Sequence, residues 1–137
     1  GINVFSGKDK ATVVTDTGII SDDILHRIDD STLLVLEANY DPHMLRFGPY
    51  QPFLKQRVAS DEGHLSNEMA AQALLMMKRP DFMQVILAHR SENNNNAVLV
   101  TQTIGKMLVD GGVRIGPEMK LQHGQPNEIV SMQSIKR

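Results

Sequence analysis

With 137 residues, 41% of them hydrophobic, and a net charge of −2 from 14 Lys+Arg against 16 Asp+Glu, the chain is read as a single domain or half-domain over 1–137, long enough to bury about two-thirds of its unfolded surface in one core. The absence of cysteine excludes disulfides, cysteine-held zinc and thiol catalysis, and the near-balanced charge excludes steering by a whole-molecule field while leaving room for a local basic patch. Apolar runs such as Val85-Ile86-Leu87-Ala88 are too short to span a bilayer, and no basic region followed by an apolar one opens the chain, so the expectation is a soluble, cytoplasmic protein with no membrane partner.

The chain begins Gly1-Ile2-Asn3 without an initiator Met, which reads as processing, excision from something longer or an added Gly1. Ala11-Thr12-Val13-Val14-Thr15 is short, β-branched and apolar, and predicts a strand that delivers the loop Asp16-Thr17-Gly18. Ser21-Asp22-Asp23 then offers an N-cap and an acidic first turn to a helix through Ile24, Leu25 and Ile28. A second apolar strand, Leu33-Leu34-Val35-Leu36, ends at Glu37-Ala38-Asn39-Tyr40-Asp41. Residues 42–60 read as mixed, with a helical turn at 44–47 and with Pro49 and Pro52 breaking regularity. Ser66 or Asn67 caps a helix whose Met69, Ala70, Ala73, Leu74 and Met77 recur at helical spacing, with Lys78-Arg79 in its last turn and Pro80 beyond. A third apolar strand at 85–88 delivers His89-Arg90-Ser91. The run of Asn at 93–96 caps a helix over 97–109 that Gly111-Gly112 ends. Met119, Leu121 and His123 alternate with polar residues as in a half-exposed strand, and a turn at 124–127 leads to a last strand near 129–132. No internal repeat or linker interrupts the chain. Continuous apolar strands alternating with helices imply an α/β architecture with a covered sheet.

Three of these strands end in an ionisable residue: Asp16, Glu37 and His89. Ligands of α/β sheets bind outside the carboxyl ends of the strands, so the three side chains meet at one rim if the strands run parallel. A fourth candidate, His64, lies in Gly63-His64-Leu65-Ser66-Asn67 just before the most regular helix. Asp, Glu and two His are the inventory of a hydrolytic metal site, although a polar residue closing each strand accounts for any single position equally well.

The ordered set Thr15-Asp16-Thr17-Gly18, Glu37-Ala38-Asn39-Tyr40-Asp41, Gly63-His64-Leu65-Ser66-Asn67 and Leu87-Ala88-His89-Arg90-Ser91 resembles the C-terminal half of a metallo-β-lactamase-fold hydrolase of the YycJ (WalJ) nuclease type, related to ribonuclease Z. The likeness runs over about residues 11–95. It implies an αβ/βα sandwich of which this chain is half, and a phosphodiesterase acting on nucleic acid, DNA or RNA. It further implies two divalent metal ions, Zn²⁺ first and Mn²⁺ as a substitute. Asp16 matches the family's bridging aspartate and His89 its last histidine ligand. Glu37 and His64 match the pair in which the histidine protonates the leaving oxygen after a hydroxide held by the two metals attacks phosphorus. Ser66, Asn67 and Arg90 are the matching candidates for substrate contact. The family's earlier His-x-His-x-Asp-His motif has no counterpart here, since no two of His26, His43, His64, His89 and His123 are two residues apart. The resemblance therefore implies that the N-terminal half of the same fold supplies the missing ligands, and that without it the sheet is exposed enough to favour a homodimer. Tyr40 departs from the His that relatives carry between Asn and Asp.

Two other readings compete. The chain is a catalytically silent fragment or assembly module, or Asp16-Thr17-Gly18 is the carboxylate of a dimeric aspartic protease with Val113-Arg114-Ile115-Gly116 as its later apolar-Gly element. The second needs a nearly all-β fold, against the helical periodicity of residues 69–77. His26 and His43 read as surface, His123 as a satisfied, partly buried histidine, and the eight Met residues as core filling. Arg46, Lys55, Arg57 and Arg90 could reach phosphates, with solvated surface the plainer reading of the first three.

Overall fold

A computed structural model describes residues 2–124. Five strands, β1 (Ile2–Ser6), β2 (Asp9–Val14), β3 (Leu33–Glu37), β4 (Met83–Ala88) and β5 (Met119–His123), form one sheet in the order β1-β2-β3-β4-β5. β1 and β2 pair antiparallel and every later neighbour pairs parallel. Parallel neighbours need crossovers rather than tight turns. The crossovers supply α1 (Asp22–Ile28) between β2 and β3, then α2 (Pro42–Phe47), α3 (Pro52–Val58) and α4 (Asn67–Met76) between β3 and β4, and α5 (Ala97–Asp110) between β4 and β5. Because successive strands step in one direction across the sheet, crossovers of one hand lay their helices on one face.

That face holds the core. Val14, Leu34, Leu36, Val85, Leu87 and Met119 pack with Ile28 of α1, Ala70, Ala73 and Leu74 of α4, and Val100, Ile104 and Leu108 of α5. Among the described residues no helix packs on the opposite face. There Ile2 lies opposite Val13 and Val4 opposite Ala11, and these continue in register to Val35 and Leu33. Ile2 and Val4 are 67% and 59% exposed, while Ile86, in register with Val35 on β4, is 8% exposed, so this face presents apolar side chains to solvent at its β1–β2 edge.

Side-chain caps explain where most helices start. Ser21, Asp41, Ser66 and Asn96 each accept the amide of the third residue on, at 3.2, 2.9, 3.1 and 2.8 Å, an arrangement worth about 1 kcal/mol per helix. Residues 42–58 correct the sequence reading: they hold two short helices, and Pro42 and Pro52 begin them. The missing amide of proline falls where a helix has no partner for it. A second difference is at the end of α4. The helix stops at Met76, so Lys78 and Arg79 lie beyond it, and Arg79 Nη1 reaches back to the carbonyls of Leu74 and Leu75 at 2.7 and 3.1 Å. β1 has no counterpart in the sequence reading, because its residues are exposed throughout and show no burial period. The hairpin that makes it turns through Gly7, at φ +58°. Met77, Met83 and Met119 are core residues while Met76 is exposed. The expected strand near 129–132 lies outside the described residues. A parallel sheet with five helices among the described residues is not the nearly all-β architecture that the aspartic protease reading of Asp16 requires. No helix among them is long and apolar enough to cross a membrane.

Candidate metal centre

β2, β3 and β4 are adjacent and parallel, so their carboxyl ends share one rim. Asp16 follows β2 by two residues, Glu37 is the last residue of β3, and His89 is the first beyond β4. Asp16 and His89 both turn the chain in the left-handed region, at φ +58° and +56°, a conformation that side chains pay for and that gathers at functional sites. His64 arrives from the other side. Its amide bonds the carbonyl of Val58 at 2.9 Å, Leu65 N donates to Glu37 Oε2 at 3.1 Å, and Asn39 N donates to Leu65 O at 2.9 Å. The segment is thereby laced across the end of β3.

The four side chains meet. Asp16 Oδ1 stands 3.5 Å from His89 Nδ1 and 3.7 Å from His64 Nδ1. Glu37 Oε1 receives His64 Nδ1 at 2.9 Å and also the Nδ1 of His89. The two imidazoles stand edge to face with centroids 5.0 Å apart. Glu37 is 0% exposed, and a carboxylate can be held there because two ring nitrogens and one amide surround it. Asp16 and His89 are exposed, His64 is half-buried, and each of the four offers a donor atom within 4.8 Å of the others. Nitrogen and oxygen donors of this kind suit Zn²⁺ or Mn²⁺. The arrangement can hold a cation at its open side, orient imidazoles from its floor and place a proton donor beside them.

Buried amides fix this geometry. Asn39 Nδ2 donates to the carbonyl of His89 at 2.7 Å, and Asn39 O accepts from Ser91 N at 2.8 Å. Asn67 and Asn95 exchange reciprocal bonds of 2.9 and 2.8 Å, and Asn95 Nδ2 also reaches Ala38 O at 3.2 Å. The Asn run, which reads in sequence as a helix cap, thus also ties β3, α4 and the loop after β4 together. The available signal was that several amides sit between a strand end and a helix start, where loops need partners with both donors and acceptors.

Of the three expected substrate contacts, Ser66 is buried and spends its hydroxyl on the cap, and Asn67 is buried in the amide pair. Arg90 borders a cavity of about 330 Å³ that His64, His89, Asn39, Tyr50 and Ser91 also line. Tyr40 packs on Leu45 and Val58, and its hydroxyl is pushed up by burial and then by Glu68. His26 and His43 are exposed and outside the cluster. His123, half-buried, faces Thr101 Oγ1 at 2.9 Å, and burial with the charge of Arg90 lowers its pKa.

Gly18 anchors the Asp16 loop. Its amide bonds Asp61 O at 2.9 Å, and a Cβ there would lie 1.7 Å from Ser60 O. Gly18→Ala is expected to destabilise the fold by about 1–3 kcal/mol, read as a lower urea midpoint. An unchanged midpoint would mean that the 60–61 backbone gives way freely.

Comparison with known proteins agrees with the resemblance. The chain is 32% identical over 126 residues, 92% of its length, to the exodeoxyribonuclease YycJ of Bacillus anthracis. It is 33% identical over 132 residues, 96% of its length, to the exodeoxyribonuclease WalJ of Streptococcus pneumoniae. The matched stretch is 48% of the first protein and 49% of the second, so the chain spans about half the length of the curated relatives it matches. No family model and no solved structure matches the chain.

Proposed function

We propose that the chain, homologous to the YycJ and WalJ exodeoxyribonucleases over nearly all its length, is the C-terminal half of a metallo-β-lactamase-fold nuclease that hydrolyses phosphodiester bonds of DNA. The observation that carries this reading is the convergence of Asp16 and His89, 3.5 Å apart, above the buried carboxylate of Glu37. Asp16 and His89 would hold divalent metal. When bound, two such ions supply an activated nucleophile near neutral pH and offset the charge that develops on phosphate. Glu37 orients His64 through the 2.9 Å contact, and His64 delivers a proton to the leaving oxygen. Arg90, on the cavity wall, binds a phosphate of the substrate. Two ligands do not complete a dinuclear centre. The other donors belong to the half of the fold that this chain does not span, which docks on the exposed apolar side chains of Ile2, Val4 and Val13.

The test is metal analysis and nuclease assay of the full-length protein on single- and double-stranded DNA and RNA. The expected result is about two metal ions per chain and DNA degradation that a chelator stops. Residues 1–137 alone should bind metal weakly and degrade nothing. Degradation indifferent to chelator would overturn the metal mechanism, and a full-length protein with no hydrolysis would favour the silent module.

A further inference from the structure

We propose that the lobe formed by α2 and α3 is a docking surface for single-stranded nucleic acid, with Phe47 and Phe53 as base-stacking platforms and Arg46, Lys55 and Arg57 as phosphate contacts. The choice of ligand rests on the nuclease reading above; the surface itself stands on separate observations.

The lobe has its own small core of Tyr40, Leu45 and Val58, with Tyr50 against it. Folding nevertheless leaves Phe47 68% and Phe53 71% exposed. Two large rings of one small lobe therefore face water. The Phe47 ring is set among cationic and planar groups: the Arg46 guanidinium is 5.4 Å from its centroid, and the His43 ring is 4.7 Å from it. Lys55 Nζ bonds Arg46 O at 2.8 Å, tying α3 to α2 with its charge retained. The ion pairs of Arg27, Lys78, Lys106 and Arg114 all lie outside the lobe. No acidic residue occurs between Asp41 and Asp61, in a chain whose net charge is −2. The positive charge is therefore local and uncompensated.

Exposed rings in a lobe whose cations carry no ion pair among the described residues match a flexible polyanion whose bases are unstacked, because each base offers a face for stacking and each phosphate a charge. A duplex hides its base faces, and a protein partner would have to bury three unpaired cations. The lobe is also in the right place. Tyr50 and Val58 form part of the wall of the cavity that His64 and His89 line, so a strand held on the lobe would lie beside the reacting centre.

The experiment is fluorescence anisotropy on the full-length protein in EDTA, where no hydrolysis interferes, with 5′-fluorescein (dT)₂₀ and the same strand in a duplex with (dA)₂₀. Phe47→Ala and Phe53→Ala should each weaken single-strand binding roughly 5- to 150-fold while leaving duplex binding unchanged. Phe53→Trp should restore it, and Arg57→Gln should lower the slope of log K against log salt by about 0.7. Unchanged single-strand affinity in both Phe variants overturns the proposal. So does a fall in melting temperature with affinity intact, which would show the rings packed against the protein's other half. Single-strand binding through the lobe in a protein without nuclease activity would sink the catalytic reading alone, whereas full activity with lobe variants that bind normally would sink this one alone.

Discussion

Asp16→Ala in the full-length protein is expected to abolish metal loading and hydrolysis together, with activity falling by at least about 10³-fold. Asp16 is the one carboxylate of the cluster that faces solvent, and Oδ1 stands within 3.7 Å of both imidazoles. Removing it leaves nitrogen donors and a buried acid already engaged by three partners. Asp16→Asn is the informative companion. Position 16 has φ +58°, which Asn tolerates as well as Asp does and Ala does not, so Asn removes the charge without straining the turn. Both variants should lose metal by elemental analysis, and only Ala should lose about 1 kcal/mol of stability as well. Retention of a full metal complement in Asp16→Asn would contradict a ligand role.

His64→Ala should leave metal content intact and slow turnover by about 10²–10⁴-fold, the usual worth of a positioned proton donor. The basis is an asymmetry in the cluster. His64 is half-buried beside Glu37, while His89 is exposed and keeps its own contact with the same carboxylate when His64 is gone. Loss of the ring therefore deletes a proton source and spares the donor at position 89. The expected signature is a lower kcat with little change in KM and loss of one limb of the pH–rate profile. Unchanged turnover, or metal lost along with activity, would take His64 out of the acid role.

Much of the parallel core was legible in the sequence because its strands are short apolar runs and its helices carry caps that act locally: Ser21, Ser66 and Asn96 each bond the amide three residues on. The convergence of Asp16, Glu37 and His89 was legible for a topological reason, since residues that end adjacent parallel strands must share a rim. What escaped depended on distant partners. β1 is exposed along its whole length, so no burial period marks it. Pro52 begins a helix or breaks one according to whether it falls at a first turn, and that is decided by the small core around Tyr40 and Val58 rather than by proline itself. Asn39 and Asn95 act over separations of 50 and 57 residues, which no local pattern encodes. Ser66 and Asn67, which the resemblance offers as substrate contacts, are buried, and their polar atoms go to the helix cap and the amide pair.

One oxygen of Glu37 serves both rings, which yokes His64 to His89. Replacing Glu37 would unseat two functions in a single stroke, so such a variant could never apportion the loss between them. Substitutions at the two histidines are separable by contrast, because each leaves the carboxylate in place for the other ring.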